Sequence, residues 1–116
     1  MCGIIGINAF TDITAELIFG LNSLQHRGQD AAGIVTFNGH FRVKKEVGLV
    51  NSIFDEKIVK KLEAPCGIGH VRYATQGTLG SSEAQPIYMN YPFGLAMVHN
   101  GNVINTLELT KRLREE

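Results

Sequence analysis

The chain contains no tryptophan, only two cysteines and three prolines, and no excess charge: eleven Lys plus Arg balance eleven Asp plus Glu over 116 residues. Each shortage removes a class of function. Balanced charge provides no broad basic field to attract nucleic acid or an anionic membrane. Cys2 and Cys66 make no dense disulfide framework and fit a reducing, cytoplasmic setting. Apolar stretches such as residues 2–7 and 94–98 are far too short to span a bilayer, and the start lacks the basic segment and long apolar core of a secretory signal. No Cys-x-x-Cys or His-x-x-His pair completes a metal-ligand set, and Cys66 and His70, four apart on one strand face, do not chelate one ion without a bend. No Gly-Lys-Ser/Thr follows Gly77 and Gly80, so there is no phosphate loop.

What is present is enough apolar content, 44%, for a packed core in one domain or part of one. Residues 2–10 read as a strand, rich in β-branched side chains. Thr11-Asp12 is a helix N-cap signal, and Ile13, Leu17, Ile18, Leu21 and Leu24 then recur at helical spacing, predicting a helix over 13–26 stopped by Gly28. Residues 32–37 and 40–46 predict a hairpin whose Asn38-Gly39 corner suits a type I′ turn. Asn51-Ser52 is expected to cap one helix through Leu62, ended by Pro65, with Ile53, Phe54, Ile58, Val59 and Leu62 on its apolar face. Residues 66–73 and 93–99 read as inner strands, joined by a Gly-, Ser- and Pro-rich segment over 74–92. Asn105-Thr106 begins a last helix that ends on Arg114-Glu115-Glu116 without a Gly, Asn or Pro stop. Two acids there oppose the helix dipole, so the chain is expected to be cut from something longer.

Four features carry chemistry. Removal of Met1 would make Cys2 the first residue, joining a thiol nucleophile to an α-amine able to take its proton; thiols and terminal amines titrate near about 8.5 and 7.7–8.0 in model compounds. The other reading of Cys2 is a small buried hydrophobe. His99-Asn100-Gly101-Asn102 directly follows a strand, where an Asn amide and an adjacent Gly N–H can converge on a developing oxyanion. An ordinary Asn-Gly turn is the alternative, weakened because a helix and not a matching strand follows. Arg72, at the end of its strand, offers a planar fork for a carboxylate, or a surface ion pair. It shares a strand face with His70, so the two need not reach one ligand. The long segment from Thr75 to Pro86 has the length of a functional lid or of a disordered segment, with Gly77 and Gly80 as hinge-compatible positions. Arg27, near a helix end, reads either as a dipole-complementing surface residue or as a brace that hydrogen-bonds a neighbouring site, and sequence alone favours the first.

Taken together, Met1-Cys2-Gly3-Ile4, the run Leu24 to Gly33 containing Gln25-His26-Arg27-Gly28-Gln29-Asp30, the run Gly69 to Gly77 containing His70-Val71-Arg72-Tyr73, Glu83-Ala84-Gln85-Pro86 and His99-Asn100-Gly101-Asn102 resemble one family. It is the class II glutamine amidotransferases, which carry an N-terminal-nucleophile glutaminase domain. Within that class, Gln-His-Arg-Gly-Gln-Asp and Glu-Ala-Gln-Pro resemble the amidophosphoribosyltransferase branch. The sugar-phosphate branch would show Tyr-Arg-Gly-Tyr-Asp and a Trp after the binding Arg, where Gln29 and Tyr73 stand.

The resemblance implies an α+β fold, the four-layer α/β/β/α sandwich of stacked, mostly antiparallel sheets. Residues 1–116 would be the N-terminal portion of its glutaminase domain. It implies that Cys2 attacks the L-glutamine carboxamide to give a thioester and ammonia, with Asn100 and Gly101 as oxyanion hole. Arg72 would hold the substrate α-carboxylate, Tyr73 and Thr75 would start a closing glutamine loop, and Arg27 and Gly28 would line the site. Ammonia would pass to phosphoribosyl diphosphate, forming phosphoribosylamine in the first step of purine synthesis. That step belongs to a phosphoribosyltransferase domain outside this chain, with its Mg²⁺, in a full-length homo-oligomer. An acid that fixes the substrate α-amine is expected beyond Asn100-Gly101, and neither Glu108 nor Glu115 takes that role. Cys2 directly after Met1 implies no propeptide, and nothing implies an iron–sulfur cluster. The fragment alone is expected to be weakly active or inactive. The competing expectations are a glutaminase serving a sugar-phosphate acceptor and a non-catalytic glutamine-binding module.

Overall fold

The computed structural model describes residues 1–74 and 83–115. Its frame is a four-stranded antiparallel sheet in the order β1 (Gly3–Asn8), β4 (Cys66–Arg72), β2 (Ala31–Phe37), β3 (Phe41–Val47). A second sheet pairs β5 (Ile87–Met89) with β6 (Leu95–Met97), also antiparallel. Helix α1 (Thr14–Ser23) covers one face of the first sheet, and α2 (Val50–Ile53) and α3 (Glu56–Leu62) share the same core. Leu17, Leu21, Ile34, Val50 and Val71, all fully buried, form the centre of the core. The segment containing β5 and β6 lies against the opposite face, where Tyr88 meets the Phe41 ring at a centroid distance of 5.2 Å. Six of the seven residues of β2 are therefore buried, because side chains on both of its faces are covered. The described residues make an α+β fold with antiparallel sheets.

Helix α1 starts within one residue of the predicted position, but its N-cap residue is Ile13, without a side-chain cap bond, and Asp12 supports it from one position earlier. Asp12 Oδ1 accepts Thr14 N–H at 3.2 Å and Thr14 Oγ1 at 2.8 Å, and also Ala64 N–H at 2.9 Å, tying the helix to the end of α3. Four expectations change. The helix predicted over 13–26 ends at Ser23; a 3₁₀ turn over Gln25–Arg27 follows, because Leu24 N–H bonds the carbonyls of both Gly20 and Leu21. The helix predicted from Asn51-Ser52 to Leu62 is two, broken at Phe54, with Asp55 capping the second by accepting Ile58 N–H at 2.8 Å. The Asn38-Gly39 corner is not type I′, which needs two left-handed residues: Phe37 pairs with Phe41 across three residues, and only Gly39 has positive φ there. Residues 93–99 supply a short, half-exposed strand rather than an inner one, and the stretch expected as pure loop contributes its partner β5. The final helix, α4 (Thr106–Glu115), forms as expected. No helix among the described residues is long and apolar enough to cross a membrane.

Candidate active site

Antiparallel pairing of β1 with β4 sets Gly3 opposite Val71, so the beginning of the chain meets the place where β4 ends at Arg72. The chain after β6 returns to the same place. The result is a cavity of about 700 Å³ lined by Cys2, Arg72, Tyr73, Glu83, His99 and Asn100, among others. Sites of this size accommodate small molecules.

Cys2 is held from three sides. Its main-chain N–H donates to Asn100 Oδ1 at 2.9 Å, its carbonyl accepts Arg27 Nε–H at 2.8 Å, and its sulfur accepts Tyr73 N–H at 3.5 Å. Because the amide oxygen of Asn100 faces the Cys2 nitrogen, its Nδ2 hydrogens are directed to other partners. Met1 lies at the rim of the cavity. Both cysteines are unpaired thiols.

Arg27 departs from its favoured sequence reading as a surface residue: half-buried, it braces the Cys2 carbonyl. Gly28, buried next to it, packs on Arg72. A Cβ at position 28 would sit 2.5 Å from the Arg72 carbonyl carbon and 2.8 Å from its nitrogen, so only a glycine lets this turn approach β4 so closely. The guanidinium of Arg72 pairs with the Glu83 carboxylate. Thus the carboxylate-binding geometry expected of Arg72 is satisfied internally. Tyr73 is half-exposed at the cavity, and its main chain, more than its ring, contacts Cys2. Thr75, with the rest of the expected lid through residue 82, lies outside the described residues. His70 and Arg72 share a face but serve different partners: His70 Nε2 lies 3.2 Å from His99 O. His70 is fully buried; that burial, foremost, pushes its imidazole below the ordinary 6.5 against the opposing hydrogen bond to the His99 carbonyl, with the charges of Arg72 and His99 adding to the lowering.

Three contributors to the site escaped the sequence reading. Asp30 accepts Ala74 N–H at 2.6 Å through Oδ2, while its own N–H donates to Arg72 O at 3.0 Å, clamping the end of β4. Glu83 neutralises Arg72. Gln85 holds the main chain of His99. Each stood inside a quoted motif, but none has a local signal, because each acts on a residue distant in sequence. Among the described residues, no cluster of three His, Cys, Asp or Glu is arranged to hold a metal ion.

No family model matches the chain. It is 48% identical over 118 aligned positions to the amidophosphoribosyltransferase of Escherichia coli, covering 100% of this chain and 23% of that protein. It is 44% identical to the Saccharomyces cerevisiae amidophosphoribosyltransferase, covering 100% and 24% respectively. Among solved structures it matches glutamine phosphoribosylpyrophosphate amidotransferase from B. subtilis, complexed with ADP and GMP, at 35% identity and a TM-score of 0.84. That match covers 99% of this chain and 25% of the other. A second structure, described as the allosteric regulatory enzyme of purine biosynthesis, matches with a TM-score of 0.87. The chain thus spans about a quarter of the relatives it matches. Along its whole length the chain is similar in sequence and in fold to about a quarter of the length of proteins named amidophosphoribosyltransferase.

Proposed function

We propose that this chain is the N-terminal portion of a glutaminase domain in which Cys2, exposed by loss of Met1, hydrolyses L-glutamine. The observation that carries the reading is the hold on Cys2: its nitrogen at Asn100, its sulfur at Tyr73 N–H, and Arg72 lining the same cavity. Arg72 binds the substrate α-carboxylate after exchanging Glu83 for it, and Tyr73 and Thr75 begin the segment that closes over the substrate. The Cys2 sulfur attacks the side-chain carboxamide carbon, and the thiol proton passes to the α-amine. The carbonyl oxygen becomes an oxyanion, stabilised by Asn100 Nδ2–H and Gly101 N–H. The C–N bond then breaks; the α-ammonium returns its proton to the nitrogen, and ammonia leaves a γ-glutamyl thioester. Water, its proton taken by the same amine, attacks that thioester and regenerates the thiol with release of glutamate. Arg27 and Gly28 keep Cys2 and Arg72 in register throughout.

In the complete protein the ammonia goes to phosphoribosyl diphosphate, giving 5-phosphoribosylamine in purine synthesis. Similarity to proteins named amidophosphoribosyltransferase supports this acceptor over a sugar phosphate. The transferase part, any Mg²⁺ it needs and the homo-oligomer contacts are supplied by residues outside this chain, in a reducing cytoplasm where the Cys2 thiol survives. The fold completes to a four-layer α/β/β/α sandwich. Supporting this, β6 and α4 expose apolar side chains that a further layer would cover: Leu95 at 59%, Met97 at 50% and Leu107 at 88%. The test is Cys2→Ser in the complete protein. Glutamine-dependent synthesis is expected to vanish while ammonia-dependent synthesis persists; equal rates with glutamine for variant and parent would refute the proposal.

A further inference from the structure

We infer that Gln85 is a positioning residue for the oxyanion site, its carboxamide standing in for a strand partner of His99. This inference rests on the glutaminase reading above. The β5–β6 ladder pairs only Leu95 to Met97 on its β6 side, so it ends two residues before His99. There Gln85 takes over: its Oε1 accepts His99 N–H at 2.7 Å and its Nε2 donates to His99 O at 3.2 Å. One flat amide thus bonds both main-chain groups of one residue, as a neighbouring strand does, and fixes the direction in which Asn100 and Gly101 leave. His70 Nε2 approaches the same His99 carbonyl from the sheet at 3.2 Å.

Gln85 is itself seated firmly. Its neighbours Ala84 and Pro86 are buried, and Lys45 Nζ donates to Pro86 O at 3.0 Å. On β2, Gly33 lies between His70 and Lys45 in the sheet register, and a Cβ there would stand 2.3 Å from the Gln85 carbonyl oxygen. The missing side chain lets the 84–86 segment lie directly on the sheet. A continuous path therefore runs from the β2–β3 surface through Gln85 to His99, then Asn100, whose side chain holds the Cys2 nitrogen. Oxyanion donors act only within a few tenths of an ångström of their target, and a displacement of about 1 Å is able to cost on the order of a hundredfold in rate.

Gln85→Met in the complete protein keeps the stem and removes both bonds. We expect kcat for glutamine hydrolysis to fall about tenfold or more while KM for glutamine stays within about twofold, since Arg72 is untouched. Amide hydrogen exchange should accelerate at residues 99–102 while β1 and β4 stay protected. A merely structural role would instead loosen the sheet as a whole. Gln85→Glu, which keeps the acceptor and loses the donor, is the second variant; it is expected to lose turnover in the same direction and decides the matter if Gln85→Met does not fold. An active parent whose foldable Gln85 variant turns over unchanged, or changes only in KM, overturns this inference alone. A parent that hydrolyses no glutamine overturns the glutaminase reading and this inference with it.

Discussion

Asn100 Oδ1 accepts the main-chain N–H of Cys2 at 2.9 Å, across 98 positions of sequence. One side chain so placed has two ends with different duties: the oxygen steadies the nitrogen that is to serve as base, and the Nδ2 hydrogens remain for the substrate oxyanion. Asn100→Asp separates them, retaining an acceptor for Cys2 and removing the donor. In the complete protein, kcat for glutamine should fall by roughly 10²–10³, the usual effect of losing one oxyanion donor, with KM little changed. Steady-state kinetics check this, and a rise in KM at constant kcat would contradict it.

The Arg72–Glu83 pair makes a second prediction. If Arg72 is to hold the substrate carboxylate, Glu83 must yield it. Glu83→Gln should therefore lower KM for glutamine by about two- to fivefold, the modest worth of a partly exposed ion pair. Arg72→Ala should raise KM by at least about tenfold, as expected for loss of a charge-assisted hydrogen bond. Unchanged KM in both variants would remove Arg72 from substrate binding.

Asp30 supports the site through bonds to main-chain atoms alone. Asp30→Ala leaves the partly buried Ala74 N–H without its acceptor, and is expected to cost about 1–3 kcal/mol of stability. It should also raise KM for glutamine, since Arg72 leaves the sheet at that clamp. Asp30→Asn keeps an acceptor and should lose less. Urea unfolding of the three proteins gives the order.

His70 sets an acid limit. Its folded pKa lies below its ordinary 6.5, so in the window between the two the unfolded chain binds more protons. Stability is then level above about pH 6.5 and falls as pH drops through that window. His70→Gln removes this titration, so its unfolding free energy should vary less with pH between about 5 and 7 than that of the parent. Parallel pH curves would contradict it.

Local signals were legible in the sequence wherever a short-range physical preference acted. Asp12, before the apolar repeat, accepts the first helical N–H of α1 although Ile13 is the cap residue, and the strand over residues 66–73 appears within one residue. Element boundaries were missed where a cap or turn bond ends a helix inside a continuing apolar repeat: the Asp55 cap splits one predicted helix, and α1 stops early at Leu24. The strand Ile87–Met89 lies in a Gly-, Ser- and Pro-rich stretch that masks so short an element. Cys2, Asn100 and Arg72, singled out in the sequence because their chemistry is rare in combination, line one cavity. The contact made by Arg27 was not readable, since nothing at position 27 reveals that its guanidinium reaches the Cys2 carbonyl. Gln85 and Asp30 escaped for the same reason: their partners are main-chain atoms at positions 99, 74 and 72.

The decisive measurement is intact-mass and peptide analysis of the complete protein after reaction with an electrophilic glutamine analogue. One adduct is expected, on Cys2, in a chain that lacks Met1 and begins with a primary amine. Full activity with Met1 still attached, or an inactivating adduct on Cys66 with Cys2 unmodified, would contradict the assignment of Cys2 as nucleophile.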